Sequence, residues 1–239
     1  MAPDPRPPLA AYQDFAAFLD QPLLQPDLSA SQVLRALETA KRYGIASVIV
    51  RPCDIDLAVR TLHGSSVKPA CVVGFPHGSQ TTAVKLYEGR DLLRRGACEL
   101  EMVIGIPSLL SREFQHVQTE LTQMSEACHR EGALLKVILE TAYLADDLKI
   151  IACGCCERAE VDFVSTSTGF GPASYTLKDL TLLRNHLPEE ISIKAEGEIR
   201  TLDQISELYE AGCSRAGTRF TAAILDEWKA RPQIQTNQP

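Results

Sequence analysis

Two lysines and a glutamate lie inside apolar segments of the chain, where charged side chains are uncommon. Lys136 stands in Leu-Leu-Lys-Val-Ile-Leu, Lys194 in Ile-Ser-Ile-Lys-Ala, and Glu101 in Glu-Leu-Glu-Met-Val. Burying an isolated charge is costly, so we expect these side chains to pair with one another. A lysine beside a second cation, or in apolar surroundings, has a lowered pKa and can act as a nucleophile or general base. The set predicts either an active site or a structural ion-pair cluster.

A second candidate is the segment 161–172, Val-Asp-Phe-Val-Ser-Thr-Ser-Thr-Gly-Phe-Gly-Pro. It begins as an apolar strand and continues as a loop that contains Ser165, Thr166, Thr168 and Gly169. The free N–H groups and hydroxyls of such a loop suit an anion or an oxygen-rich substrate. Many loops of this composition only turn the chain, and both interpretations stay open.

Apolar strands and helical stretches alternate along the whole chain, which is typical of parallel βαβ units. A first strand is predicted near Leu19–Leu24, after a short helix over 10–18. Seven more strands are predicted at 46–50, 70–75, 99–104, 134–139, 161–165, 191–195 and 214–218. Eight such units close a barrel, and about 250 residues suffice for one. The sequence therefore predicts a single (β/α)8 TIM barrel over residues 9–230, with an extra amino-terminal helix. Residues 1–8 are predicted to be a disordered proline-rich leader and 231–239 a flexible tail.

The alternation of side chains along a strand places the charged residues on particular faces. Lys136 shares a face with Ile138, Lys194 shares one with Glu196, and Glu101 shares one with Glu99. A strand buried on both faces carries few charges. We therefore expect Lys136, Lys194 and Glu101 to point toward the barrel axis, where they can reach one another.

Composition limits the partners of the protein. The net charge is −7, which disfavours nucleic acid and anionic membranes because both attract basic surfaces. No apolar run is long enough for a membrane span, and the proline-rich start does not resemble a signal peptide. A cytoplasmic location is expected, with no cofactor and no metal. The eight cysteines are predicted to be mainly buried free thiols, including the cluster at 153, 155 and 156.

Four segments together carry a family resemblance: 74–78 (Gly-Phe-Pro-His-Gly), 134–141, 161–172 and 191–201. They resemble the deoxyribose-phosphate aldolases, class I aldolases built on a TIM barrel, and the resemblance runs from about Phe18 to Leu225. It implies that Lys194 and Lys136 match the auxiliary lysines of the family. Glu101 replaces an aspartate that manages protons and water. Ser165 stands at the position of the imine-forming lysine of the family, and a serine cannot form an imine.

The resemblance also implies a changed phosphate pocket. The family pattern Lys-Ala-Ser-Gly-Gly reads Lys-Ala-Glu-Gly-Glu at 194–198, and Gly-Thr-Ser-Ser reads Gly-Thr-Arg-Phe at 217–220. Glu198 and Arg219 therefore replace two small phosphate-facing residues, and we expect them to pair within one pocket. The pair either fills an empty pocket or selects a ligand that lacks phosphate. The substrate-binding residues implied are Asp20, Thr166, Thr168, Gly169, Gly197, Glu198, Gly217 and Arg219.

Two functions follow from these residues. The first is an aldolase-like enzyme that acts on an unphosphorylated carbonyl metabolite, by C–C bond cleavage or formation, cyclisation or dehydration. Its catalytic residues would be Lys194, Lys136, Glu101 and the Ser165 region. The second is a catalytically silent barrel that binds a ligand or a partner subunit, and a homodimer is an open alternative. Two inward-facing lysines favour the enzyme, because an abandoned site has no need of buried cations.

Overall fold

The computed structural model describes residues 9–231, and its strands form one closed barrel of eight parallel strands in sequential order. The predicted (β/α)8 fold is confirmed. The strands are β1 Leu19–Leu23, β2 Ser47–Val50, β3 Lys68–Val73, β4 Glu99–Val103, β5 Leu134–Ile138, β6 Phe163–Ser165, β7 Ser192–Glu196 and β8 Arg215–Gly217. The predicted leader at 1–8 and all but the first residue of the predicted tail lie outside the described residues.

The helices surround the barrel in the order that the alternating pattern predicts. They are α1 Tyr12–Ala17, α2 Ala30–Tyr43, α3 Ile55–Leu62, α4 Thr82–Arg94, α5 Ile106–Leu110, α6 Phe114–Arg130, α7 Asp146–Arg158, α8 Leu177–His186, α9 Leu202–Glu210 and α10 Thr221–Ala230. The short helix α1 before the first strand is the extra amino-terminal helix that was expected. The short helix α5 after β4 was not predicted.

Helix α2 illustrates how local sequence sets element ends. The Ser29 hydroxyl accepts a hydrogen bond from the backbone N–H of Gln32, and the Gln32 side chain accepts one from the Ser29 N–H. At the other end, Gly44 takes a left-handed φ of 65°, which costs glycine little.

The sheet register places the charged side chains on the inner face. Glu101 lies beside Lys136, and Ser165 lies beside Lys194, which in turn neighbours Arg215. Register neighbours in a parallel sheet point to the same face. The barrel interior also holds a small apolar cluster of Leu24, Ile49, Ala70 and Val72. The larger hydrophobic core fills the layer between strands and helices.

The cysteines follow the predicted pattern with two exceptions. Six are buried, including Cys153, Cys155 and Cys156 on α7. The expectation is wrong for Cys53 and Cys98, which are exposed, because Cys53 lies in a short connecting turn and Cys98 just before β4. Within residues 9–231, no group of three or more His, Cys, Asp or Glu side chains is arranged to hold a metal ion. The same residues contain no helix that is long and apolar enough to cross a membrane.

Candidate functional site

An ionic cluster occupies the barrel interior. Its members are the carboxylates of Asp20, Glu99, Glu101 and Glu196 and the cations of Lys136, Lys194 and Arg215. The strands β1, β4, β5, β7 and β8 supply them. The predicted trio meets as expected: Glu101 Oε1 lies 2.6 Å from Lys194 Nζ and 3.3 Å from Lys136 Nζ. We call this set the ionic cluster.

Asp20 lies at the centre of the ionic cluster. Its carboxylate accepts hydrogen bonds from Lys136 Nζ at 2.6 Å and from Arg215 Nη1 at 2.6 Å, and the Ser47 hydroxyl donates a third at 2.7 Å. The side chain is fully buried and is not part of the wall of the cavity described below. The expectation that Asp20 binds substrate directly is therefore not supported by its position, because three protein donors already occupy its oxygens.

The two lysines are held as ammonium ions. Burial lowers the pKa of Lys194, but the carboxylates of Glu101, Glu196 and Asp20 outweigh burial and raise it well above its usual value. Burial also lowers the pKa of Lys136, but the carboxylates of Asp20, Glu99 and Glu101 outweigh burial and raise it above its usual value. The prediction that repulsion between the lysines lowers one pKa is wrong in this structure. Lys194 Nζ lies 2.6 Å from Glu101, and Lys136 Nζ lies 2.6 Å from Asp20 and 2.7 Å from Glu99.

Glu196 is one of three members of the ionic cluster, with Glu99 and Arg215, that sequence reasoning did not assign to the site. Its Oε2 atom lies 3.4 Å from Lys194 Nζ, which is longer than the 2.6 Å between Lys194 and Glu101. Burial raises the pKa of Glu196 to about 7; Lys194 opposes this rise, and Glu101 and Asp20 add to it. The carboxyl group can therefore gain or lose a proton near neutral pH.

Ser165 lies where the resemblance places the imine-forming lysine. Its side chain is fully buried on the inner face of β6, beside Lys194 of β7. Its hydroxyl has no hydrogen-bond partner among the described residues. A serine becomes a nucleophile when a base accepts its proton, and no base contacts Ser165 here. Ser165 is thus unactivated in this structure.

A cavity of about 360 Å³ opens at the carboxyl ends of the strands. It is lined by Pro22, Leu24, Gln25, the loop 168–174, Glu196, Gly197, Glu198 and Arg219. Five predicted substrate-binding residues line it: Thr168, Gly169, Gly197, Glu198 and Arg219. Thr166 and Gly217 do not, because Thr166 is buried and Gly217 lies beneath the side chain of Glu196. Glu196 alone joins the ionic cluster to this cavity.

Hydroxyl groups of the loop after β6 hold the loop in place. The Thr168 hydroxyl and backbone N–H both donate to Glu140 Oε2, the N–H at 3.0 Å. Glu140 is buried and has a φ of 53°, so the chain leaves β5 in a conformation that non-glycine residues rarely adopt. Sequence reasoning did not identify Glu140 as a site residue. Its carboxylate holds Thr168, which lines the cavity, in position.

The mouth of the cavity carries the predicted ion pair. Arg219 Nη2 lies 2.5 Å from Glu198 Oε1, and Arg200 pairs with the other oxygen of the same carboxylate. Desolvation raises the pKa of Glu198, but Arg200 and Arg219 together outweigh it and hold the pKa below its usual value. Both guanidinium groups also lie over the ring of Phe220. The expectation that Glu198 and Arg219 face one pocket and pair is confirmed.

Two glycines make room for this arrangement. A Cβ atom added to Gly217 would lie 1.6 Å from Glu196 Oε2, and one added to Gly197 would lie 1.7 Å from Ser174 Oγ. Both distances are far inside van der Waals contact. Gly217 therefore allows the Glu196 carboxylate to fold back over β8 toward Lys194.

The sequence as a whole matches one family of aldolases. A family model described as DeoC/LacD family aldolase matches residues 15–189. The chain belongs to the DeoC/LacD family of aldolases. The deoxyribose-phosphate aldolase of Caldanaerobacter subterraneus is 39% identical over 217 residues, which are 90% of this chain and 94% of that protein. The family predicted from the sequence is confirmed.

Solved structures of two aldolases share the fold. One described as "QR15, an Aldolase" is 33% identical, has a TM-score of 0.87, and is matched over 93% of this chain and 99% of that chain. The tetrameric deoxyribose phosphate aldolase from Aeropyrum pernix is 28% identical, with a TM-score of 0.82 over 92% of this chain and 93% of that one. Both aldolases therefore share the barrel fold of the present chain at sequence identities near 30%.

Proposed function

We propose that this DeoC-family barrel is a lyase-type enzyme that acts on an unphosphorylated carbonyl compound by acid–base chemistry, without an imine at residue 165. The observation that carries the proposal is the state of Lys194. Its ammonium is fully buried and lies 2.6 Å from Glu101, 3.4 Å from Glu196 and 3.5 Å from Asp20. An imine needs a neutral amine, and three neighbouring carboxylates favour the ammonium form.

The departures from the family pattern support the same proposal. Ser165 cannot form an imine, and the inward lysines that remain, Lys194 and Lys136, are each paired with carboxylates. A fixed ammonium can still assist catalysis by stabilising negative charge that develops on a carbonyl oxygen. We assign this electrostatic role to Lys194. Lys136 and Glu101 keep Lys194 in position through the hydrogen bonds of the ionic cluster.

The charges at the cavity support a ligand without phosphate. Glu196 stands at its inner end and Glu198 at its mouth, and carboxylates repel phosphate. Arg219 is already paired with Glu198 and is not free to bind an anion. A cavity of about 360 Å³ suits a small metabolite. The proposed substrate is therefore a small aldehyde or ketone whose other end is neutral and polar.

A screen for proton exchange tests the proposal. Small aldehydes and ketones are incubated with the protein in heavy water, and proton NMR follows the loss of signals from carbons beside the carbonyl. The expected result is catalysed exchange or cleavage of at least one compound, with a loss of roughly 100-fold or more in Lys194→Met. Lys149→Met is the matched control, because Lys149 is also a buried lysine paired with a carboxylate, Asp179, but lies on α7 outside the barrel.

One observation favours a second candidate, a silent barrel that binds a ligand. Six of the seven charged groups in the ionic cluster have a partner of opposite charge within 2.7 Å, as expected for a structural ion cluster. This candidate predicts that a compound from the screen binds without exchange or cleavage. Assembly as a homodimer and a cytoplasmic location stay predictions, and the tetramer is a property of the Aeropyrum pernix protein.

A further inference from the structure

We propose that Glu196 exchanges a proton with the ligand in the cavity, while the lysines behind it act as a fixed charge framework. The chemical use of that proton rests on the proposed function above, but the ionisation of Glu196 does not. Glu196 is thus proposed as the reacting group in place of Lys194 and Lys136, because its carboxyl group lies in the wall of the cavity and the two ammonium groups do not.

Glu196 is the member of the ionic cluster that a ligand in the cavity can reach. The side chains of Lys136 and Lys194 have no exposed surface, whereas that of Glu196 is 11% exposed. Glu196 belongs to the wall of the cavity, and the other six members of the ionic cluster do not. A ligand in the cavity can therefore touch Glu196 without any rearrangement of the barrel interior.

The positive and negative charges of the ionic cluster are unequal in number. The ionic cluster contains four carboxylates and three cations, so full ionisation leaves one negative charge in excess. Asp20, Glu99 and Glu101 each have an oxygen within 2.7 Å of a lysine nitrogen, whereas Glu196 approaches no closer than 3.4 Å. The carboxylate with the weakest pairing is thus the one that faces the cavity. Uptake of a proton by Glu196 is the simplest way to remove the excess negative charge.

The backbone of Glu196 is held firmly for this task. Its N–H donates to the Thr166 hydroxyl at 3.2 Å, and its carbonyl oxygen accepts from the hydroxyls of Ser167 at 2.8 Å and Ser174 at 3.1 Å. Three hydroxyl side chains of the loop after β6, those of Thr166, Ser167 and Ser174, thus hold the backbone N–H and carbonyl groups of Glu196 in place. This gives the loop a positioning role that its composition did not predict.

Charged groups from several strands face the Glu196 carboxyl group. Lys194 comes from its own strand, Glu101 from β4 and Asp20 from β1, while Glu198 and Arg219 lie across the cavity. Burial and the two interior carboxylates favour the protonated form, and Lys194 favours the ionised form. The result is a pKa raised to about 7, so both forms are available near neutral pH.

The proposed step is a reversible proton transfer. The ionised Glu196 removes a proton from the carbon beside the carbonyl: the C–H bond breaks, an O–H bond forms on the carboxylate, and the C–H electron pair moves into an enolate. The Lys194 ammonium behind Glu196 stabilises the negative charge that develops. Return of the proton to carbon regenerates the carboxylate, so the step needs no other reactant. In heavy water the carboxyl proton exchanges with solvent deuterium before the return step, so the atom returned to carbon is deuterium.

The first experiment tests ionisation without any ligand. The protein is labelled with ¹³C at glutamate side-chain carboxyl carbons and titrated by NMR from pH 4 to 9. We expect one glutamate signal to titrate near pH 7, to vanish in Glu196→Gln, and to persist in Glu210→Gln, which changes an exposed residue at the end of α9. Absence of a signal titrating between pH 6 and 8, or its persistence in Glu196→Gln, would overturn the inference whatever the activity.

The second experiment tests use of the proton, with hydroxyacetone as the probe in heavy water. We expect the rate of exchange beside the carbonyl to rise with pH through about pH 7, and Glu196→Gln to lower it by roughly 100-fold or more. Glu210→Gln should match the wild type. Exchange that survives in Glu196→Gln refutes the role of Glu196 but leaves the proposed function standing. If the wild type exchanges no compound in the screen, the proposed function fails, and the titration alone then decides the ionisation of Glu196.

Discussion

Lys194 on β7 donates a hydrogen bond of 2.6 Å to Glu101 on β4, although these two strands are not neighbours in the barrel. The bond spans the barrel interior, where neither side chain is open to bulk solvent. It ties the lysine to a carboxylate and thereby keeps the nitrogen protonated. The same bond makes both residues important for stability, since a buried charge that loses its partner destabilises the folded state.

Lys194→Met is expected to lower the free energy of unfolding by about 3–5 kcal/mol, because it leaves Glu101 with only its longer contact to Lys136 and Glu196 with no cation in reach. Urea denaturation followed by circular dichroism measures the change. Lys149→Met, which strands the buried Asp179 outside the barrel interior, should cost a similar amount. A loss below about 1 kcal/mol in Lys194→Met alone would contradict the ionic cluster described here.

The raised pKa of Glu196 predicts a pH dependence of stability. Its folded value is about 7 and its ordinary value is 4.5. The folded state therefore holds the proton more tightly than the unfolded state does, and stability falls as pH rises from about 4.5 to 7. The loss amounts to roughly 3 kcal/mol. Glu196→Gln should remove this slope between pH 5 and 7, measured as unfolding midpoints in urea; an unchanged slope would show that another group causes it.

The ion pair at the mouth of the cavity predicts a change in anion binding. Glu198→Gly frees the guanidinium groups of Arg219 and Arg200 and restores glycine at a position that faces phosphate in the resembled pattern. We expect inorganic phosphate to bind the variant at least tenfold more tightly than the wild type, as measured by isothermal titration calorimetry. Glu198→Gln, which removes the charge but keeps the bulk, should fall between the two. Equal binding by all three proteins would show that Glu198 does not govern the pocket.

Cleavage of deoxyribose 5-phosphate is expected to be absent or at trace level. Ser165 cannot form the imine, and Glu198 stands against the phosphate. A coupled alcohol dehydrogenase assay for acetaldehyde measures the release. Robust cleavage by the purified protein would contradict this expectation and would point to an imine at a residue other than Ser165.

Much of the fold and part of the site could be predicted from sequence. The alternation of apolar and helical segments predicted eight strands, because parallel strands buried on both faces show continuous apolar runs. Charges inside such runs singled out Lys136, Lys194 and Glu101, and all three meet in the barrel interior. Glu196 and Glu99 share faces with Lys194 and Glu101, so the same periodicity already contained a signal for them.

The protonation of the lysines could not be predicted, because it depends on distances across the barrel rather than along a strand. From sequence, two lysines on inward faces suggest mutual repulsion. In the structure, Asp20 reaches Lys136 from β1, which is not a neighbour of β5, while Glu99 reaches it from the neighbouring β4. Arg215 enters from β8 and pairs with Asp20. Nor could the role of Glu140 be predicted, since its hydrogen bonds to Thr168 depend on a left-handed backbone at the end of β5.

The most direct test of the account is a search for an imine. The wild type and Ser165→Lys are each incubated with acetaldehyde and sodium borohydride, and intact mass spectrometry and peptide mapping locate any adduct. The account predicts that the wild type gains no adduct at Lys194 or Lys136, because both are buried ammonium ions. Ser165→Lys should gain the mass of one ethyl group on the new lysine. A wild-type adduct mapped to Lys194 or Lys136 would contradict the account, since it would show that a lysine of the ionic cluster becomes neutral and reacts.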